Sequence, residues 1–298
     1  MRIGYFGPEG TFTHEALIDA LGGASEADTA AGPDGTELVP FATIYDTVMA
    51  VHDSTAARAL VPIENSLEGS VNATLDALAM ETRDVAIVGE VVHPIRHCLI
   101  ARTPLELSEI ETVVSHPQAN AQCARFIRTR LPGARVLAGS STAEAVRLVA
   151  DHDGPWAALG NRVAADRYGC EVLRAGVEDV AENETRFVWL ARADEVDGGV
   201  AAAGFPGAPT RGPWKTAIVF WGAGSEAPGW LVRCLSELAD RDVNMTRIES
   251  RPRKQGLGRY MFFVDFEGRD TEPHVAEALT AVRGQVEALR VLGSFPAA

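Results

Sequence analysis

Four short segments concentrate side chains able to do chemistry, and each lies where an apolar run gives way to an amphipathic one. Gly7-Pro8-Glu9-Gly10-Thr11-Phe12-Thr13-His14 follows the first apolar run. Gly and Pro set a tight turn there, Thr11 and Thr13 can cap a helix, and N–H groups near Gly10 and Thr11 make a site for an anion; a well-capped turn without a ligand reads equally well. Val61-Pro62-Ile63-Glu64-Asn65-Ser66-Leu67-Glu68-Gly69-Ser70-Val71-Asn72 brings a carboxylate, an amide and two hydroxyls to a strand end, where ligands sit in open α/β sheets. Ser115-His116-Pro117-Gln118-Ala119-Asn120-Ala121-Gln122-Cys123 puts Ser115 in a turn and Gln118 and Gln122 on one helix face, while His116 before a proline reads as structural. In Asn183-Glu184-Thr185-Arg186-Phe187-Val188-Trp189-Leu190, the planar fork of Arg186 suits a carboxylate, though a Thr-Arg pair is also an ordinary strand start.

Together these segments describe a cleft of hydroxyls, amides, one or two Glu and an Arg. Such a lining suits recognition of a small polar acid with acid-assisted elimination, and does not suit redox or phosphoryl transfer. The only lysines are Lys215 and Lys254, so a Schiff base, a lysine-bound pyridoxal phosphate and a P-loop lysine are excluded from the first 213 residues. The first segment is not G-x-G-x-x-G. Cys98, Cys123, Cys170 and Cys234 are widely spaced and form no metal-ligand pattern, so the expectation is buried thiols and neither metal nor cofactor.

The elements that must position these groups alternate as in an α/β chain. Strands are predicted at 2–6, 59–63, 85–92, 98–101, 112–115, 135–138, 156–159 and 187–191, and helices near 13–21, 71–81, 119–131 and 142–151. Residues 194–213 are rich in Gly, Ala and Pro and read as a linker. Beyond it, 215–221, 229–241, 244–251, 259–266, a helix from about 272 and a strand near 288–292 give the order βαββαβ, the ferredoxin-like split motif.

The formal charge of −14 makes nucleic acid and anionic membrane surfaces poor partners. All of that excess lies in residues 1–213, with 16 basic and 30 acidic side chains, whereas 214–298 has 11 of each. The first residues contain no signal-like apolar region, which points to a cytoplasmic location.

At these residues the chain resembles the prephenate dehydratase family. The resemblance is carried by Gly7-Pro8-Glu9-Gly10-Thr11-Phe12, Val61-Pro62-Ile63-Glu64-Asn65-Ser66 with Gly69-Ser70-Val71, Ser115-His116-Pro117-Gln118, Ser141-Thr142 and Thr185-Arg186-Phe187, and Ile248-Glu249-Ser250-Arg251-Pro252 resembles the family's regulatory ACT domain. It implies a two-lobed catalytic region at 1–193, shaped like type II periplasmic binding proteins, with one lobe at about 1–76 and 163–193 and the other at about 77–162. A linker at 194–213 and an ACT domain at 214–298 follow. It implies Thr185 as the key catalytic residue, with Glu64, Asn65, Ser66, Ser115, Gln122 and Phe187 lining the site. Phenylalanine would act as feedback effector at ACT–ACT interfaces through Gly229, Leu231, Glu249, Ser250, Arg251 and Pro252, in a homodimer or homotetramer. The ACT helix opens Pro228-Gly229-Trp230-Leu231 where the family has Pro-Gly-Ala-Leu, and Glu226 adds a negative charge beside it.

For such an enzyme, the expectation is that Thr185 hydrogen-bonds the departing hydroxyl oxygen of prephenate. Glu64 would supply the proton, and Arg186 with the N–H groups at Gly10 and Thr11 would hold the pyruvyl carboxylate. Two other readings use the same residues: dehydration of arogenate, and a non-catalytic sensor of a small acid.

Overall fold

The computed structural model describes residues 1–22, 31–32, 35–195, 212–222 and 226–298; most of the expected linker lies outside them. The chain runs β1 (Arg2–Phe6), α1 (Phe12–Ala20), β2 (Ala31–Gly32), β3 (Thr36–Phe41), α2 (Ile44–His52), β4 (Arg58–Asn65), β5 (Gly69–Ser70) and α3 (Asn72–Asp76). After a π-helical turn at Ala77–Glu81 come β6 (Val85–Pro94), β7 (Cys98–Ala101), β8 (Thr112–Ser115), α4 (Pro117–Gln122), α5 (Ala124–Arg130), β9 (Arg135–Ala138) and α6 (Thr142–Ala150). Then follow β10 (Trp156–Gly160), α7 (Arg162–Tyr168), β11 (Glu171–Ala175) and β12 (Glu184–Arg192). The remainder is β13 (Trp214–Trp221), α8 (Trp230–Ala239), β14 (Met245–Pro252), β15 (Tyr260–Glu267), α9 (Pro273–Arg283) and β16 (Ala288–Pro296).

Three sheets result. The first has the order β2-β3-β1-β4-β12-β6, with β5 paired to β4, the second β11-β7-β10-β8-β9, and the third β14-β15-β13-β16. In the second sheet the side-chain period of two decides the layers. Ile100, Val114 and Ala158 face one way into a core with Val146 and Ala164 of α6 and α7, and Leu99, Val113 and Leu159 face the other way against Cys123 and Ile127. A sheet covered on both faces needs apolar residues at successive positions, which is why these strands read as unbroken hydrophobic runs. The third sheet alternates with α8 and α9 in the ferredoxin-like order, its core built on Ile218, Phe220, Val264 and Phe266.

Most expected elements are present with ends shifted by a few residues. β3 and β11 lie outside the predicted strands: Pro40 interrupts the one, and the other, EVLRA, has no buried position and carries two charges. The helix expected over 119–131 is two helices broken at Cys123. There the Gln122 carbonyl accepts from Asp179 N at 2.7 Å, and the Asp179 carboxylate accepts from Arg125 N at 2.8 Å, capping α5 as a new start.

By packing, the chain divides into two compact units. One comprises Met1–Thr47, Leu60–Gly69 and Val92–Phe187; the other comprises Val48–Ala59, Ser70–Val91 and Val188–Ala298. In the second unit, residues 70–91 and the third sheet are tied by charge. Arg251 donates to both Asp76 carboxylate oxygens at 3.2 and 3.0 Å, and Lys215 donates to Glu90 at 2.6 Å. Gly293 has no side chain for a steric reason: a Cβ there would meet the Ile87 carbonyl oxygen at 2.0 Å.

Candidate active site

The first turn is closed on itself. Gly10 takes a left-handed φ of 84°, and a Cβ on it would press on Ala164 at 3.2 Å, so glycine is required twice over. Thr11 caps α1, accepting from His14 N at 3.3 Å. Gly10 N donates to His14 Nδ1 at 3.1 Å and Thr11 N to the Pro8 carbonyl at 3.3 Å. Both N–H groups expected to grip a carboxylate are therefore committed within the turn. The neighbouring Phe12 places its ring edge-on to His97, with centroids 5.1 Å apart.

The end of β4 and the start of β12 hold the densest polar contacts. Asn65 Oδ1 accepts from Leu67 N at 3.1 Å and Glu68 N at 3.0 Å, an Asx-type turn that dictates which end of the amide faces outward. Its Nδ2 donates to Thr185 Oγ1 at 2.9 Å and to Asn183 Oδ1 at 2.8 Å. Asn183 Nδ2 donates in turn to Gln122 Oε1 at 3.1 Å, and His97 Nε2 reaches the same oxygen at 3.0 Å. Because that oxygen only accepts, His97 carries its proton on Nε2. Burial pushes the His97 pKa below the usual histidine range, against the raising effect of the Gln122 bond, so the ring is neutral.

The structure thus unites Asn65, Gln122 and Thr185, and adds His97 and Asn183, which the sequence reading did not select. Asn183 was visible in the fourth segment but carried no signal beyond its type; His97 lay outside every segment.

Glu64 and Arg186 stand elsewhere. Glu64 Oε2 lies 3.3 Å from Arg186, an ion pair one residue along from the Asn65–Thr185 contact on each strand. Successive strand residues face opposite sides, so the pair lies on the other face of β4 and β12 from Thr185. Ser66 Oγ accepts from Glu184 N at 3.0 Å and helps join the two strands. Ser115 is wholly buried and donates to the Leu159 carbonyl at 2.6 Å, tying β8 to β10. Phe187 is buried in the core.

Two donors at this cluster have no acceptor among the described residues. The Thr185 hydroxyl receives the Asn65 hydrogen bond, so its own proton points away, and the Gln122 amide has its oxygen occupied twice and its NH2 group uncommitted. A site of this kind donates hydrogen bonds to oxygen atoms of a ligand. No group of three or more His, Cys, Asp or Glu able to hold a metal occurs among the described residues. Burial raises the pKa of the Cys98, Cys123, Cys170 and Cys234 thiols, which disfavours thiolate chemistry.

Of the residues expected to bind an effector, Gly229 and Leu231 line a cavity of about 250 Å³ with Trp230, Gly258, Tyr260 and Phe262. Trp230 fits without filling the helix entrance because it turns into the core, donating from Nε1 to the Gln285 carbonyl at 2.7 Å and packing on Phe220 and Phe262. Glu249 and Arg251 are engaged instead with residues 70–76, Glu249 accepting from Ser70 at 2.8 Å. Ser250 and Pro252 lie beside them on β14, facing Phe262 and Tyr260 in the register with β15.

Comparison with known proteins gives the family of the chain. The family model described as prephenate dehydratase matches residues 3–195, and that of the ACT domain matches 226–284. A prephenate dehydratase from Amycolatopsis methanolica is 41% identical over 295 residues, covering 99% of this chain and 88% of that protein. Among solved structures, the prephenate dehydratase of Arthrobacter aurescens in complex with L-Phe superposes with a TM-score of 0.82 at 34% identity, covering 99% of this chain and 90% of the other. GqqA, described as a novel type of quorum-quenching acylase, superposes at 0.79 with 29% identity, covering 100% and 98%. On this sequence and structural kinship the chain belongs to the prephenate dehydratase family, and it carries that family's ACT domain after the catalytic region.

Proposed function

We propose that Thr185 is the hydrogen-bond donor to the leaving hydroxyl as this chain converts prephenate to phenylpyruvate, CO2 and water. The observation that carries the proposal is the Asn65 donation to Thr185 Oγ1, which leaves the threonine proton without a protein acceptor. As CO2 departs, the electron pair of the broken C–C bond enters the ring and expels the C4 oxygen, which leaves as water with one proton taken up per prephenate dianion. Aromatisation drives the step, so the protein's task is to orient the diacid and stabilise the departing oxygen. A threonine hydroxyl is too weak an acid to surrender its proton outright; it acts by a hydrogen bond that strengthens as charge develops on the oxygen. Gln122 Nε2 is the second donor, suited to a carboxylate or keto oxygen of the substrate.

Glu64 is read as a supporting residue rather than the proton source. Its pairing with Arg186 on the opposite strand face makes the two a brace behind Thr185, and neither is assigned direct contact with the leaving group. An acylase reading, suggested by the second solved relative, is not adopted: the Ser115 hydroxyl donates to the Leu159 carbonyl, and burial raises the pKa of the four thiols.

Residues 1–193 are assigned to catalysis and 214–298 to regulation. Phenylalanine, bound by the Arthrobacter relative, is the proposed effector, and the Gly229–Leu231 cavity its place. Val232 and Tyr260 line that cavity and are exposed, which suits closure by a second copy and a homo-oligomer. No described helix is long and apolar enough to cross a membrane, and a cytoplasmic location is proposed with the rest.

The test is the absorbance of phenylpyruvate in alkali after incubation with prephenate and, in parallel, the release of phenylalanine from arogenate. Turnover of prephenate, with little or none of arogenate, supports the proposal; a folded protein that turns over neither favours a sensor.

A further inference from the structure

The Gln122 amide is oriented by two side chains on separate segments. Its Oε1 accepts from His97 Nε2 at 3.0 Å and from Asn183 Nδ2 at 3.1 Å, which fills both lone pairs of that oxygen. Rotating the amide by half a turn would set its NH2 group against the Asn183 amide donor, leave that buried N–H without an acceptor and force His97 into its other tautomer, so one orientation is preferred. The preference is inherited. Backbone N–H groups of Leu67 and Glu68 fix the Asn65 amide, Asn65 fixes Asn183 by donating at 2.8 Å, and Asn183 fixes Gln122. Asn183 and His97 are 1% and 2% exposed, so water does not replace these bonds.

We propose that His97 and Asn183 are positioning residues that hold Gln122 with its NH2 group presented to the substrate. Neither touches the reacting atoms. Each acts through the oxygen of Gln122, His97 from the β6–β7 connection and Asn183 from the segment entering β12, so that two separate parts of the chain must be in place before the amide is locked. The inference rests on the reading that Gln122 and Thr185 face prephenate.

The test compares two neutral amides at one buried position. Asn at 97 reproduces the place of Nδ1 and falls short of Gln122, whereas Gln reaches the place of Nε2 and restores the donor. With prephenate as substrate, His97→Asn is expected to lower kcat/KM about tenfold, chiefly through KM, and His97→Gln to recover it to within about threefold of the parent. Asn183→Asp keeps size and replaces the donor facing Gln122 with an acceptor; it is expected to lose about 100-fold. Equal kcat/KM in the two His97 variants, or parental kcat/KM in Asn183→Asp, overturns the inference. Parental protein assayed alongside separates the two proposals: if it turns over prephenate while the variants behave alike, only the positioning role falls, and if it does not, the reading of the site falls.

Discussion

The amide of Asn65 donates to the hydroxyl oxygen of Thr185 across 2.9 Å, and the direction of that bond decides what Thr185 can do. A hydroxyl that receives a bond from its neighbour offers its proton elsewhere, and nothing else among the described residues accepts it. The same Asn65 amide is oriented by two backbone N–H groups, so the polarity of the site is set by the shape of the turn after β4.

Thr185→Val should therefore remove the donor while keeping size and strand preference. The expected loss in kcat is about 10²–10⁴, with KM little changed, and Thr185→Ser should retain most of the activity because it keeps the hydroxyl. A Val variant with parental kcat in steady-state assays would remove Thr185 from the reaction.

Glu64→Gln separates a proton source from a brace. With Glu64 bound to Arg186 behind the strand pair, the substitution should lower kcat/KM about three- to tenfold and leave the shape of the pH–rate profile unchanged. Loss of a limb of that profile in the variant would instead restore Glu64 as proton donor.

Asp76 should make stability depend on acid. Burial raises its pKa, but the hydrogen bonds from Arg251 and Lys254 outweigh burial and hold the carboxyl below its ordinary range. A depressed carboxyl contributes stability above its unfolded pKa and loses it as pH falls through the folded value. Asp76→Asn should thus lower stability by about 1–3 kcal/mol near neutral pH, with the gap to the parent closing below the ordinary Asp pKa. Denaturant unfolding at pH 7 and at acid pH measures both; an equal gap at the two would contradict the ion-pair account.

Gly229 should separate regulation from catalysis. Its φ of 76° lies where a Cβ costs about 1–2 kcal/mol, and it lines the proposed phenylalanine cavity. Gly229→Ala is expected to weaken phenylalanine binding at least tenfold in calorimetry, with kcat on prephenate retained. No phenylalanine binding to the parent protein would sink the proposed effector.

The alternation of apolar runs and amphipathic stretches was legible because a sheet covered on both faces demands it, and the order βαββαβ followed from period alone. The lack of lysine before residue 215 bounded the chemistry for the same local reason: an absent functional group cannot be supplied by folding. Segments Glu64–Ser66 and Asn183–Phe187 announced themselves as polar strand ends. Their pairing did not. Only the apposition of β4 and β12 put Asn65 against Thr185 and sent Glu64 and Arg186 to the other face, since a one-residue step along a strand reverses the side a group faces. His97 and Asn183 were out of reach of any spacing argument, because their role lies in contacts to Gln122 that only the tertiary fold assembles. Residue types thus determined which hydrogen-bonding groups were at hand, and the fold decided which of them were satisfied internally and which, Thr185 and Gln122, were left with protons to offer.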